Sequence, residues 1–244
     1  MKTIIRPAAI LFLTIFLCSG TAWADGFTLT DTFIGQGATH GSYSDRDVIG
    51  NQDHFDILGL NAIISSGLLK VEIYSTYFDY ASMGKYGTEL GDLFISVDGY
   101  SGEGESWEFA VVLDHHLPKL VNDMASGSAA LFGIHDGGSI VTSHSNPGYI
   151  YRAGHAVQFS GGANAKATGT WQIADNWLSI HIAGDDILPV YSDVGFHYAM
   201  TCGNDVIEGG VAPVPEPATM VLLGTGLIGL AGMSRRRTKK NTTS

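Results

Sequence analysis

Along much of this 244-residue chain apolar residues recur at every second position, and that period admits few folds. In LLKVEIYSTYF (68–78), Leu69, Val71 and Ile73 fall on one face and Lys70, Glu72 and Tyr74 on the other. WLSIHIAG (177–184) sets Leu178, Ile180 and Ile182 against Trp177, Ser179 and His181. VGFHYAMTC (194–202) sets Val194, Phe196, Tyr198, Met200 and Cys202 against Gly195, His197, Ala199 and Thr201. Further strands are expected at 27–33, 54–60, 92–97, 107–113, 129–134 and 156–159. Turn signals punctuate them: Ser66-Gly67, Asp98-Gly99, Gly137-Gly138, Asn146-Pro147-Gly148 and Gly161-Gly162. A parallel sheet needs crossover helices, and no stretch keeps a helical period for long. The pattern predicts an all-β chain, an antiparallel β-sandwich of jelly-roll type, over residues 25–210.

The two ends follow other rules. Lys2 and Arg6 precede an apolar run at 8–17 and then Ala22-Trp23-Ala24. A charged start, a short apolar stretch and an A-x-A site define a secretory signal peptide, 1–24, with Ala22 and Ala24 at the cleavage site. Lipidation at Cys18 fits poorly, because the residue before it is the bulky Leu17. At the other end a linker, 211–217, leads into an uncharged run expected to form a transmembrane helix, 218–234. The run spans about 24 Å as a helix, short against a hydrocarbon core of about 30 Å, and local thinning absorbs such a difference. Arg235, Arg236, Arg237, Lys239 and Lys240 begin a basic tail, 235–244, that stays in the cytoplasm by the positive-inside rule. The domain before the helix then faces outward, as the signal peptide also requires.

Pro215-Glu216-Pro217, a short apolar helix and the cluster Arg235, Arg236 and Arg237 together resemble the PEP-CTERM sorting signal of Gram-negative bacteria. The resemblance covers about 30 residues, and its three-part order makes it specific. It implies recognition by an exosortase, a membrane transpeptidase that cuts near the PEP motif after the secretion machinery has exported the domain. It further implies an inner-membrane anchor before processing and a final place at the cell surface or in an extracellular matrix. The two prolines keep Glu216 out of regular helix or central strand, which leaves the site extended for an enzyme. More loosely, GDLFISVDGYSGEGESWEFAVVLD (91–114) and FHYAMTCGNDVIEGG (196–210) resemble outer domains carrying the same signal, and these bring no activity with them.

All 24 acidic residues lie between Asp25 and Glu216, where Arg46, Lys70, Lys85, Lys119, Arg152 and Lys166 are the bases. Such a surface repels phosphate backbones, so nucleic acid is not an expected partner. Loose binding of divalent cations is compatible with it. With Cys18 removed, Cys202 alone remains, so no intramolecular disulfide is available and packing must hold the fold. Its position on the inward set of the last strand predicts a buried thiol.

Asp98, Glu103 and Glu105 cluster in a glycine-rich turn, and flexible acidic loops can hold calcium. Tyr100 and Gly102 fall where further ligands are needed, so a solvated hairpin turn is the competing reading. The histidines, among them His115, His116, His135, His144 and His155, lack the spacing of a helical zinc motif. No G-x-S-x-G occurs. Glu72, Glu108, Asp185 and Asp186 are available for glycoside hydrolysis, but sequence gives no distance between them. Tyr74, Tyr77 and Tyr80 gather after one strand, and Trp171 and Trp177 bracket another turn. Aromatic faces stack on sugar rings, and core filling is the alternative use for them. The expectation is therefore a non-catalytic matrix or surface protein that binds extracellular polysaccharide. An extracellular glycan-acting hydrolase is the runner-up, and a structural filler without a ligand the third reading.

Overall fold

The computed structural model describes residues 25–32, 47–65, 67–79, 88–102, 105–118, 120–121, 124–143, 152–162, 164–184, 188 and 193–211. The signal peptide, the PEP segment, the transmembrane helix, the basic tail, Tyr80 and Glu103 lie outside them. Contacts divide the chain between Val211 and Ala212. Among the described residues no helix is long and apolar enough to cross a membrane.

The described part is nearly all β. Its elements are β1 (Asp25–Thr30), α1 (Gln52–Phe55), β2 (Ile57–Ser65), β3 (Leu68–Ser75), β4 (Leu93–Ser96), β5 (Phe109–Leu113) and β6 (Ala125–Gly133). After them come β7 (Gly138–Thr142), β8 (Ala156–Gly161), β9 (Ala167–Ala174), β10 (Trp177–Ala183), β11 (Val194–Ala199) and β12 (Val206–Val211). Ten strands form one antiparallel sheet in the order β1-β2-β3-β10-β9-β6-β5-β4-β11-β12, and β7 pairs with β8 separately. The edge strand β12 packs against β1 and β2, so the sheet rolls into a nearly closed, barrel-like sandwich. The antiparallel sandwich expected from sequence is thus found, with hydrogen bonding continuous through all ten strands.

The expected strand at 54–60 is partly replaced. Asn51 caps a short helix by accepting a hydrogen bond from the Asp53 amide at 3.0 Å, and the strand starts only at Ile57. In two central strands the alternation holds. In β3 the buried set is Leu69, Val71, Ile73 and Ser75, and in β10 it is Leu178, Ile180 and Ile182. The apolar members of these sets form the main core with Trp171, Ile173, Leu131 and Val111. Each such side chain contributes about 1.5–3 kcal/mol of burial.

β11 breaks the alternation, for all six of its residues are buried. The β7–β8 hairpin explains this, because β8 lies over β4, β5 and β11 on their outer face. A second core of Phe94, Trp107, Ala110, Ile134, Ala156 and Phe159 fills that layer. Asp92, fully buried, joins the layers: its carboxylate accepts from the amides of Leu113 at 3.0 Å and Phe159 at 2.8 Å. Gly91 beside it allows the layers to approach, since a Cβ there would stand 1.8 Å from the Ala199 carbonyl oxygen.

The register gives the sheet two distinct rims. Asp25 pairs with Ile64, Val194 with Val211, Gly195 with Ser96, and Phe109 with Gly133. The first and last residues of the described domain, Asp25 and Val211, therefore share one rim with the acidic turn that follows β4. The opposite rim holds Thr30, Tyr74, Trp177, Leu113, Ala199 and Val206.

Candidate functional site

The acidic turn after β4 is stitched to itself. Ser96 donates to the Asp98 carboxylate at 3.2 Å and to Glu105 at 3.4 Å. Glu105 also accepts from the Ser101 amide and hydroxyl and from the Ser106 amide. These bonds are those of a hairpin turn capped by its own carboxylate. They engage both oxygens of Glu105, while Glu103 lies outside the described residues.

The aromatic residues separate into two groups. Tyr77 is buried, with its hydroxyl donating to the Thr88 carbonyl at 3.0 Å. Trp171 is buried, and its indole N–H donates to Asp114 at 2.8 Å. Gly127 leaves the room for that bond, since a Cβ there would lie 2.2 Å from the Asp114 oxygen. The Asp114 carboxyl is slightly desolvated, but the Ser128 backbone, the Trp171 indole and the charge of His115 together hold it below the usual range. Tyr74 and Trp177 are different. They sit directly opposite each other on β3 and β10, half-buried on the outer face, with rings stacked at 4.9 Å and 24°. Of the five aromatic candidates these two are brought together.

The pair borders a polar surface that sequence reasoning did not assemble. On the outer face of β6, β9, β10 and β3 one row reads Ser126, Gln172, Ser179 and Glu72. The next reads Ser128, Thr170, His181 and Lys70. Lys70 and Glu72 neutralise each other at 2.8 Å. The missing step was β9, whose pairing with both β6 and β10 brings the rows into line.

Two histidines serve as joints. His116 Nε2 meets Asp92 at 2.9 Å. That hydrogen bond raises the imidazole pKa despite partial burial, with the charges of Asp92, Glu89 and Asp114 acting in the same sense. His197 is held at both nitrogens, by Glu208 at 2.7 Å and the Ala156 carbonyl at 2.8 Å, and Tyr100 donates to the second Glu208 oxygen at 3.0 Å. His155 stacks on the His197 ring at 6.0 Å.

On the rim away from Asp25 and Val211, Asp31, Asp47 and Asp205 come together, each offering a carboxylate oxygen within 4.8 Å of the others. Among the described residues this is the group of side chains disposed to hold a metal. Asp205 is fully buried and accepts from the amides of Ile57 and Val206. Burial, together with the nearby charges of Asp31 and Asp47, pushes its pKa up to about 9. Asp47 is raised by desolvation and lowered in part by Arg152, whose Nη2 donates to the Asp47 carbonyl at 2.9 Å. No spacing rule links positions 31, 47 and 205, so the sequence carried no signal for this group.

An antiparallel β domain with both of its ends at one rim suits a module carried on a single stalk. The family pattern described as the PEP-CTERM protein-sorting motif matches residues 213–237, directly after β12. The chain is therefore a PEP-CTERM sorting-signal protein. Recognition by an exosortase, export and processing at the membrane follow from that motif. No curated protein and no solved structure matches the chain.

Proposed function

We propose that the β domain is a non-catalytic binder of neutral extracellular polysaccharide at the cell surface or in the biofilm matrix, delivered there by the sorting signal. The supporting observation is the outer face of β6, β9, β10 and β3. Its rows of Ser, Thr, Gln and His side chains end at the Tyr74–Trp177 stack. Hydroxyls and amides both donate and accept, which matches sugar hydroxyls, while an aromatic ring takes the apolar face of a pyranose. A neutral glycan suits a local Lys70–Glu72 ion pair on a chain of net charge −11, which repels polyanions.

Retention of the full chain, purified in detergent, on insoluble neutral glucans and mannans tests this. Trp177→Ala should weaken retention about tenfold at an unchanged melting temperature, the loss of a stacking contact of roughly 1–1.5 kcal/mol. Failure of the wild-type chain to bind any of these glycans rejects the proposal. New reducing ends released on incubation would speak instead for a glycan-acting hydrolase.

A further inference from the structure

We propose, resting on the polysaccharide reading of the Tyr74–Trp177 face, that the glycan bound there carries short O-acyl esters. The acyl methyl enters a notch over Ala174, between Trp177 and Met124. Three observations point to it.

The first is where apolar surface is left uncovered. Among the described residues the large apolar side chains that stay exposed are Leu58, Leu117, Val121 and Met124. Leu58 stands on β2 beside Gly59, the partner of Tyr74, and the other three belong to the connection from β5 to β6. All four therefore lie on the rim that carries the Tyr74–Trp177 stack, away from Asp25 and Val211. Bare sugar hydroxyls gain little from aliphatic side chains beside the stack, whereas methyl groups on the ligand gain from covering them.

The second is the shape. Trp177 of β10 pairs with Ala174 of β9. Met124 comes just before Ala125, the partner of Ile173, so it keeps the outward parity of Ser126 and Ser128, and it is 49% exposed. Adjacent strands lie about 4.7–4.9 Å apart, so Trp177 and Met124 stand roughly 9.5 Å apart with the small Ala174 between them. Carbon atoms pack at about 3.5–4.0 Å, so this gap takes one methyl group in contact with both walls and excludes a whole sugar ring. Val121 and Met124 bond to each other's backbone at 2.8 and 3.2 Å. Such a pairing sets both side chains on one side, and Val121 thereby thickens the Met124 wall.

The third is the chemistry of the next row. Gln172, exposed on the same face two residues before Ala174, pairs with Ser179 of β10 and Ser126 of β6. Carboxamide and hydroxyl groups donate as well as accept. An acyl ester offers both parts this arrangement can use, a methyl for the notch and a carbonyl oxygen for a donor in the row beside it. The methyl of a deoxy sugar would fill the notch but bring no acceptor to that row.

The test is affinity electrophoresis of the full chain in detergent, through gels containing partly O-acetylated glucomannan or the same polymer after alkaline deacetylation. Retention about tenfold stronger on the acetylated polymer is expected, the worth of one buried methyl and one hydrogen bond. Ala174→Leu fills the notch and Met124→Ser removes one wall. Each should bring that ratio below about twofold at an unchanged melting temperature. Equal retention of the wild type on both polymers overturns the acyl assignment and leaves the polysaccharide reading standing, whereas no retention on either rejects both. A ratio that stays at the wild-type value in both variants overturns the notch.

Discussion

At the residue scale, stability in the second core depends on a few polar groups placed where water cannot reach. Asp92 gives its carboxylate to two backbone amides and to His116, so β4, β5 and β8 are joined through one side chain. Because the His116 pKa is raised in the folded state, its contribution is fully present below the unfolded value near 6.5. That contribution is lost as pH rises through the folded pKa. The melting temperature should therefore fall more steeply above about pH 6.5 in the wild type than in His116→Gln, by the equivalent of roughly 1 kcal/mol or less, since the ring is partly exposed. Parallel slopes for the two proteins in scans across that range would remove His116 from the account. Cys202 is buried, as its sequence position predicts, and burial pushes the thiol up to about 11. The strand that was expected to carry it stops at Ala199, however, and the residue sits in the turn that follows.

At the scale of elements, the expected strands with one wet face were read with their faces right, while β4 and β11, also expected, are buried on both faces. β3 and β10 keep strict alternation because solvent lies on their outer side, and both were read in full. β9 was not, because its inward residues are Ala167, Trp171 and Ile173 with Gly169 between them, a pattern too sparse to stand out. Its turn did leave a trace: Asp175 and Asn176 both have positive φ, 50° and 67°, the backbone of a two-residue hairpin turn. The short helix before β2 was likewise missed because its signal was a single cap, Asn51. The contact of β8 with β11 depends on Gly91. Gly91→Ala should lower the melting temperature by roughly 5–10 °C, because the new methyl meets backbone rather than a side chain able to move. A midpoint within about 1 °C of wild type would show that the layers have slack.

At the scale of the whole molecule, sequence and structure inform on different things. The sorting motif was legible, because Pro215-Glu216-Pro217 and Arg235-Arg236-Arg237 are contiguous signals that need no fold to be read. The candidate sites were not, since the Tyr74–Trp177 surface and the Asp31–Asp47–Asp205 group exist only once distant strands are brought into register. Replacing Pro215, Glu216 and Pro217 by alanine should leave the β domain intact while the chain accumulates unprocessed in the membrane fraction. Blotting of fractionated cells checks this, and normal release of the altered chain would mean that processing reads some other feature.

The placement of Val211 has a mechanical consequence. While the chain is held at its C-terminus, a tug on the far rim is transmitted along the length of β12. Six residue pairs join β12 to β11, and under such a load they are strained side by side instead of parting one after another like a zip. A domain hung in this way resists a pull on its far rim better than its modest edge strand would suggest.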